Sequence, residues 1–139
     1  MGSILVSLAV KSGLSSVIIM EDGLLKQHYT EKIKDDDAKA SNYLATLYSF
    51  NMALRHTRQY IQDYPGNSEV TFELSSKILI KWADAYYSKP AYQEKFIETM
   101  DLLQSLPIRY SFSYNTKPKA LPYASGSEVK TQKVGGLLD

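Results

Sequence analysis

The residues of this sequence whose chemistry could be catalytic are mostly acidic, and they lie in two places. Three consecutive aspartates, Asp35, Asp36 and Asp37, form one group, and Glu73 lies in a segment of alternating apolar residues. Carboxylates that converge can hold Mg²⁺ ions, which activate water and stabilise a leaving oxygen. The structural alternative is that the aspartates cap a helix and that Glu73 is solvated on the polar face of a strand. We favour this structural interpretation for both groups.

Other patterns of catalytic residues are missing from the sequence. His28 and His56 are the only histidines, neither has a neighbour at metal-ligand spacing, and the chain contains no cysteine. No serine stands in a nucleophile elbow, and no glycine-rich phosphate loop follows an apolar run. We therefore expect surface or partly buried structural roles for both histidines, and we predict no cofactor.

Length and charge indicate one small domain without a strong electrostatic field. A chain of 139 residues with 44% hydrophobic content suits a single core, and 16 basic against 15 acidic residues leave a net charge of +1. Nucleic-acid binding would therefore require a local basic patch. The apolar run at residues 4–10 is too short to span a bilayer and follows no Lys or Arg. Together with the absence of cysteine, this predicts a cytoplasmic protein without membrane attachment.

The first third of the chain reads as three strands joined by tight turns. Apolar runs at residues 3–11 and 15–20 flank Gly13, and Asp22-Gly23 supplies the positive φ angles of a second turn. A third strand is expected over residues 24–33. Such short connections predict antiparallel neighbours, with the third strand near an edge of the sheet.

The middle of the chain reads as a long helix followed by a further strand and more helices. Bulky residues recur at helical spacing over residues 38–62, and the aspartates before them are expected to cap this helix. Alternation around Phe72 predicts a strand parallel to the first, because a crossover helix precedes it. A short helix over residues 78–87 and a second one between Pro90 and Pro107 follow.

The end of the chain changes character after a last strand. Residues 108–114 alternate aromatic and polar side chains, which predicts a strand with one aromatic face. Residues 115–139 contain prolines, glycines, Ser and Lys with almost no apolar periodicity, which predicts a polar, flexible tail. The expected domain is therefore residues 1–114.

This order of elements resembles the ribonuclease H fold. The most specific match is Ser75-Ser76-Lys77-Ile78-Leu79, where many members of that family read Asp-Ser-(Gln or Lys)-Tyr-Val, so that four of the five positions agree in kind. The resemblance implies an α/β fold of the ribonuclease H-like type with a mixed five-stranded sheet. Three antiparallel strands come first, then a long helix, a parallel strand, helices and a final strand, with the third and fifth strands at the edges.

The same resemblance implies where catalytic carboxylates should lie, and this sequence lacks them. The family places one acid on the first strand, one on the long helix and one at the end of the fourth strand. Residues 1–20 and 38–62 contain no Asp or Glu, the counterpart of the helix acid is Leu44 or Ala45, and the third acid is replaced by Ser75. Neutral side chains cannot neutralise two Mg²⁺ ions.

The fourth family carboxylate, which follows the fifth strand, also lacks a counterpart. Beyond residue 114 the only acids are Glu128 and Asp139, both in the expected tail. With all four positions lost, we expect no catalytic residue, no metal site and no enzymatic activity, which makes the chain a pseudoenzyme.

Residues that could contact nucleic acid remain. In the family, the start of the long helix and the residue after the Asp-Ser pair touch the minor groove of an RNA/DNA hybrid, which implies Ser41, Asn42 and Lys77 here. Lys117 and Lys119, beyond the last strand, would add charge. The plain alternative is that all five are ordinary polar residues on an exposed face.

Tyrosine is abundant and could supply a surface for a protein partner. The chain has 11 tyrosines, and tyrosine suits interfaces because it combines a large apolar area with a polar group. Most are expected to be half-buried in the core, and a subset to form a partner surface. Those in the second half of the chain are Tyr86, Tyr87, Tyr92, Tyr110, Tyr114 and Tyr123.

The sequence therefore predicts a catalytically inactive ribonuclease H-like domain that acts as an interaction module. A protein partner is expected and nucleic acid is a second partner class, as in accessory proteins of viruses or mobile elements. The alternative is a metal-dependent nuclease with a relocated site, for which Glu73 and Asp35 to Asp37 would have to converge. A monomer and a dimer through a sheet edge, such as the aromatic fifth strand, both fit the pattern.

Overall fold

The computed structural model describes residues 3–33, 41–66 and 69–124, and the order of elements in it follows the prediction. The helices and strands are β1 (Ile4–Lys11), β2 (Leu14–Glu21), β3 (Leu24–Lys32), α1 (Asn42–Asp63), β4 (Glu69–Leu74), α2 (Lys77–Ala85), a 3₁₀ turn (Pro90–Tyr92), α3 (Gln93–Ser105), β5 (Arg109–Tyr114) and α4 (Leu121–Ala124). In these three ranges, no helix has the length and apolar character needed to cross a membrane.

The strands form one mixed sheet in the order β3-β2-β1-β4-β5. β1 pairs antiparallel with β2, and β2 with β3, whereas β4 runs parallel to β1 and β5 runs parallel to β4. Both hairpin turns have two consecutive residues with positive φ, Ser12-Gly13 and Asp22-Gly23, which matches the right-handed twist of paired strands. The predictions of a parallel fourth strand and of β3 and β5 at the edges are confirmed.

One face of the sheet carries the main core, packed under α1. Leu47, Phe50 and Leu54 recur along the helix and are fully buried. The ring of Phe50 meets Phe72 of β4 edge to face at a centroid distance of 5.4 Å. The residues of β1 and β2 that alternate toward this face complete the same cluster, so the sheet and α1 form a two-layer core.

The start of α1 differs from the prediction. The helix begins at Asn42, and its N-cap is Ser41, whose Oγ accepts a hydrogen bond from the backbone N–H of Leu44 at 3.2 Å. The predicted start of the helix at residue 38 and the predicted capping role of the aspartates at 35–37 lie outside the described residues, in which the cap of α1 is Ser41.

The segment after β5 also differs from the prediction, because its first ten residues pack on the other face of the sheet. Ala120 and Ala124 are buried against Ala9 and Ile18, whose side chains alternate away from α1. The small alanine side chains let this segment lie close to the strands. The expected flexible tail was placed from residue 115, yet residues 115–124 belong to the packed domain, while 125–139 lie outside the described residues.

Candidate nucleic-acid interface

A cleft of about 560 Å³ lies at the carboxyl ends of β1 and β4. The first turns of α1 and α2 form its two walls. The residues that line it are Leu8, Ala9, Val10, Asn42, Tyr43, Ala45, Thr46, Ser75, Ser76, Lys77, Ile78 and Lys81. Ligands of open α/β sheets commonly bind beyond the carboxyl ends of the strands, so this is the natural place for a functional site.

Both helices that border the cleft begin with a serine cap. Ser76 Oγ accepts a hydrogen bond from the N–H of Leu79 at 3.1 Å, and Ser41 caps α1 in the same way while its hydroxyl lies 3.2 Å from that of Tyr92. Neither helix has an acidic residue in its first turn. Within the first turns of α1 and α2, which both belong to the described residues, no carboxylate offsets the partial positive charge of the helix N-termini, and this favours an anion in the cleft.

The charged side chains among the described lining residues of the cleft are both basic. Lys77 and Lys81 are one helical turn apart on α2 and exposed to solvent. The ammonium group of Lys77 lies 4.9 Å from the centre of the Tyr114 ring. Lys81 forms no ion pair with any residue in the described ranges. The cleft thus combines two cations with two helix N-termini, and none of its described lining residues is acidic.

The lining does not fit the divalent ions that the resemblance to ribonuclease H would imply. Ser75 lines the cleft, and so does Ala45, which with Leu44 is one of the two counterparts that the resemblance implies for the helix acid. The oxygen atoms of the other described lining residues are neutral. Mg²⁺ requires carboxylates to offset its charge, whereas Lys77 and Lys81 repel it. Among residues 3–33, 41–66 and 69–124, no three His, Asp or Glu side chains are placed to hold a metal ion together.

The structure brings two of the five predicted binding residues to this cleft. Asn42 and Lys77 line it, whereas the hydroxyl of Ser41 is occupied by the cap of α1. Lys117 and Lys119 are exposed but do not line the cleft, since they belong to the segment that crosses the opposite face of the sheet.

Sequence reasoning overlooked two side chains of the cleft, Lys81 and Tyr43. The helical spacing of four residues from Lys77 to Lys81 could have indicated the first. Tyr43 follows Asn42 directly in the first turn of α1, and 46% of its surface is exposed. Its position next to Asn42, which the sequence already implicated in binding, could have indicated Tyr43.

Glu73 is buried, so the expectation of a solvated glutamate is wrong. Its side chain points away from α1, and only 4% of its surface is exposed. Oε1 accepts hydrogen bonds from the hydroxyl of Ser7 and the backbone N–H of Lys119, both at 2.8 Å, and Oε2 accepts one from the amide of Asn115 at 3.0 Å. The Lys119 ammonium lies 3.8 Å from Oε2.

This network lowers the pKa of Glu73. Burial alone would raise the pKa, but the hydrogen bonds from Asn115, Lys119 and Ser7, with the charge of Lys119, outweigh it and bring the pKa below its ordinary value. The carboxylate is thus kept ionised and saturated with donors inside the protein. The carboxylate of Glu73 is therefore a structural group that holds the segment after β5 on the sheet.

Both histidines are half-buried against tyrosine rings, which agrees with the predicted structural roles. The ring of His56 stacks on Tyr29 at a centroid distance of 3.6 Å, and His28 packs on Tyr123 at 4.3 Å. Burial lowers the pKa of both imidazoles, and for His56 the charge of Arg55 adds to the effect. The neutral rings therefore serve in packing.

The tyrosines of the second half divide into buried and exposed groups. Tyr92 and Tyr123 are half-buried, whereas the exposed ones are Tyr86, Tyr87, Tyr110 and Tyr114. Tyr86 and Tyr87 border a mostly apolar groove of about 350 Å³, together with Phe96 and Ile97. This groove is a second surface with the composition of an interface.

Comparison with known proteins relates the chain to solved ribonuclease H structures. LC11-RNase H1, solved in complex with an RNA/DNA hybrid, aligns with a TM-score of 0.65 and 16% identity over 83% of this chain and 85% of that chain. RNase H1 of the halophilic archaeon Halobacterium salinarum NRC-1 aligns with a TM-score of 0.59 and 13% identity over 82% and 86%.

A third structure, the N-terminal RNase H domain of a Mycobacterium tuberculosis protein, aligns with a TM-score of 0.62 and 11% identity over 96% of this chain and 99% of that chain. The sequence matches no family model and no curated protein. Identities this low establish architecture alone. The chain therefore has a ribonuclease H-like fold, with its candidate site at the carboxyl ends of β1 and β4.

Proposed function

We propose that this domain is a catalytically inactive ribonuclease H-like module that binds nucleic acid through the cleft between α1 and α2. One observation carries the proposal: among the described residues, the cleft is lined by Lys77 and Lys81 and by no carboxylate. Its lining includes Ser75 and Ala45, and the resemblance relates Ser75 to one acid of the family and either Leu44 or Ala45 to another. A site of this composition attracts phosphate and repels the divalent ions that cleavage would require.

The geometry suits the backbone of a nucleic acid. Lys77 and Lys81 are four residues apart on α2, about 6 Å along the helix axis. Each can therefore contact its own phosphate, while the N-termini of α1 and α2 offer backbone N–H groups. A related structure with the same fold was solved in complex with an RNA/DNA hybrid, which supports nucleic acid as the ligand class. With a net charge of +1, the attraction is confined to this patch.

The alternative of a nuclease with a relocated metal site receives little support from Glu73. Both of its oxygens already accept hydrogen bonds from Ser7, Asn115 and the backbone of Lys119, and a lysine ammonium lies beside it. Recruiting it to a metal would leave these buried donors without partners. The other component of that hypothesis, residues 35–37, lies outside the described residues.

Binding and cleavage can be tested in one titration. We would add labelled RNA/DNA hybrid to the protein with Mg²⁺ or Mn²⁺ and follow anisotropy and product formation together. We expect salt-sensitive binding without cleavage. Substituting Lys77 and Lys81 with glutamine should weaken binding and reduce the slope of log affinity against log salt by about two, one for each lost phosphate contact.

Lys117→Gln is the matched control, because Lys117 is also exposed but does not line the cleft. It should bind like the unmodified protein. Metal-dependent cleavage by the purified protein would overturn the assignment as a pseudoenzyme. Absence of binding to any nucleic acid at low salt would overturn the assignment as a nucleic-acid module.

A protein-binding module is the second candidate, and the groove beside Tyr86 and Tyr87 favours it. Both rings are about half exposed, and Ile97 adds an exposed apolar side chain. Exposed aromatic side chains around an apolar groove are typical of partner surfaces. If nucleic acid fails to bind, this groove is the surface to which a partner search should be directed, with Tyr87→Ser as the disrupting variant.

A further inference from the structure

We propose that the cleft selects single-stranded nucleic acid, with a base stacked on the exposed ring of Tyr43 and the flanking phosphates bound by Lys77 and Lys81. The inference rests on the proposed function and assigns it a ligand class. It differs from recognition of a hybrid duplex, because a duplex keeps the faces of its bases covered by their neighbours.

The ring of Tyr43 is held in place from inside the protein. Its centroid lies 6.0 Å from that of Trp82, at an interplanar angle of 51°. Trp82 is itself 7% exposed and packs against Tyr87 and Tyr92 at centroid distances of 6.5 and 5.9 Å. An aromatic side chain supported in this way loses little conformational freedom when a base stacks on it.

Tyr43 nevertheless remains about half exposed, at 46%, and lines the cleft. No hydrogen bond or ion pair links its side chain to another residue of the described ranges. An exposed aromatic ring beside cationic side chains is the combination found in single-strand binding sites, where the ring stacks on a base and the cations follow the backbone. Tyr43 on one wall of the cleft and the lysine side chains of Lys77 and Lys81 on the other supply both parts.

The test compares three ligands of equal length: a single strand, the same strand with abasic sugars, and an RNA/DNA hybrid. Affinities would be measured by anisotropy for the unmodified protein, for Tyr43→Leu and for Tyr43→Phe. Leucine keeps apolar bulk over Trp82 but has no aromatic face, and phenylalanine keeps the face but has no hydroxyl group. Thermal unfolding of each variant verifies the fold.

We expect Tyr43→Leu to bind the base-bearing single strand roughly 5- to 150-fold more weakly, the loss associated with one stacked base. Its affinity for the abasic strand and for the hybrid should stay within twofold of the unmodified protein, and Tyr43→Phe should bind all three ligands normally. The double substitution of Lys77 and Lys81 with glutamine should weaken all three complexes, since each has phosphates.

The inference and the function on which it rests fail in different ways. Equal losses by Tyr43→Leu on base-bearing and abasic strands, or no loss on either, would overturn stacking on Tyr43 while leaving a phosphate-binding cleft. If the unmodified protein binds none of the three ligands at low salt, the proposed function itself is overturned.

Discussion

At the scale of single residues, Glu73 is the group whose environment departs most from that of a typical strand residue. A buried carboxylate is unfavourable unless donors surround it, and here the hydroxyl of Ser7, the amide of Asn115 and the backbone of Lys119 do so. Ser7 in turn accepts a hydrogen bond from the N–H of Ala120 at 2.9 Å. Glu73 and Ser7 together thus connect the segment after β5 to β1 and β4.

Replacement of Glu73 by glutamine should destabilise the domain by about 1–3 kcal/mol at pH 7, because one amide NH₂ would face the existing donors. The pKa of Glu73 is lower in the folded protein than in the unfolded chain. The ionised carboxylate therefore stabilises the folded state fully above the ordinary pKa of 4.5, and this stabilisation is lost as the pH falls through the lowered pKa of the folded state. The fall in stability of the unmodified protein below pH 4.5 should therefore be shallower in the variant. Urea unfolding at several pH values measures both effects.

Glu69→Gln is the matched control on the same strand. Glu69 pairs with Arg109 at 2.6 Å, but both side chains are largely exposed, so this change should cost less than about 1 kcal/mol. If Glu73→Gln and Glu69→Gln lowered the free energy of unfolding equally, the buried hydrogen bonds of Glu73 would contribute nothing to stability beyond what an exposed ion pair does.

At the scale of elements, the two helices that border the cleft both begin at a serine cap. Ser76 caps α2 through the N–H of Leu79, and the neighbouring Ser75 is exposed without a hydrogen bond from its side chain to any described residue. The cap fixes the first turn of α2, from which Lys77 enters the cleft. The two adjacent serines thus have different roles, since Ser76 caps α2 and Ser75 does not.

Ser76→Ala should lower the free energy of unfolding by about 1 kcal/mol, because the N–H of Leu79 loses its acceptor. For a chain of this length, that corresponds to a decrease of roughly 3–5 °C in the melting temperature, measurable by calorimetry. Ser75→Ala removes the same hydroxyl one position earlier and should change stability by less than about 0.5 kcal/mol. A larger loss of stability for Ser75→Ala than for Ser76→Ala would show that the Ser76 hydroxyl is not the cap that stabilises α2.

At the scale of the whole molecule, the sheet is covered on both faces over β1 and β2. α1 packs on one face, and the segment 115–124 packs on the other, where Ala120 and Ala124 meet Ala9 and Ile18. The domain therefore ends beyond β5, and the final strand is followed by a structural element of the core. The stability of the fold therefore depends on residues 115–124, whose composition is typical of a flexible tail.

A chain that ends at residue 114 should be less stable than one that ends at residue 124 by at least about 3 kcal/mol. The shorter chain exposes Ala9 and Ile18 and removes donors to Glu73. Chemical unfolding of the two truncated proteins, followed by circular dichroism, gives the difference. Identical unfolding midpoints would show that residues 115–124 do not stabilise the domain, and the chain ending at 124 controls for loss of the remaining residues.

The sequence by itself determined the order of strands and helices and the absence of acidic residues from two of its segments. Element order is encoded locally, in apolar periodicity and in turns such as Asp22-Gly23 that require positive φ. Residues 1–20 and 38–62 contain no Asp or Glu, so the first strand and the long helix carry no acid within these ranges in any register. These features required no knowledge of distant contacts.

Only the tertiary structure decided which residues share the site and which acid is structural. The burial of Glu73 depends on Ser7, 66 residues away, and on donors 42 and 46 residues later in the chain. The segment 115–124 is too short and too rich in proline for periodicity to reveal its packing. Lys77 shares a cleft with Tyr43 because a parallel pairing brings the ends of β1 and β4 together, a long-range contact that no local pattern encodes.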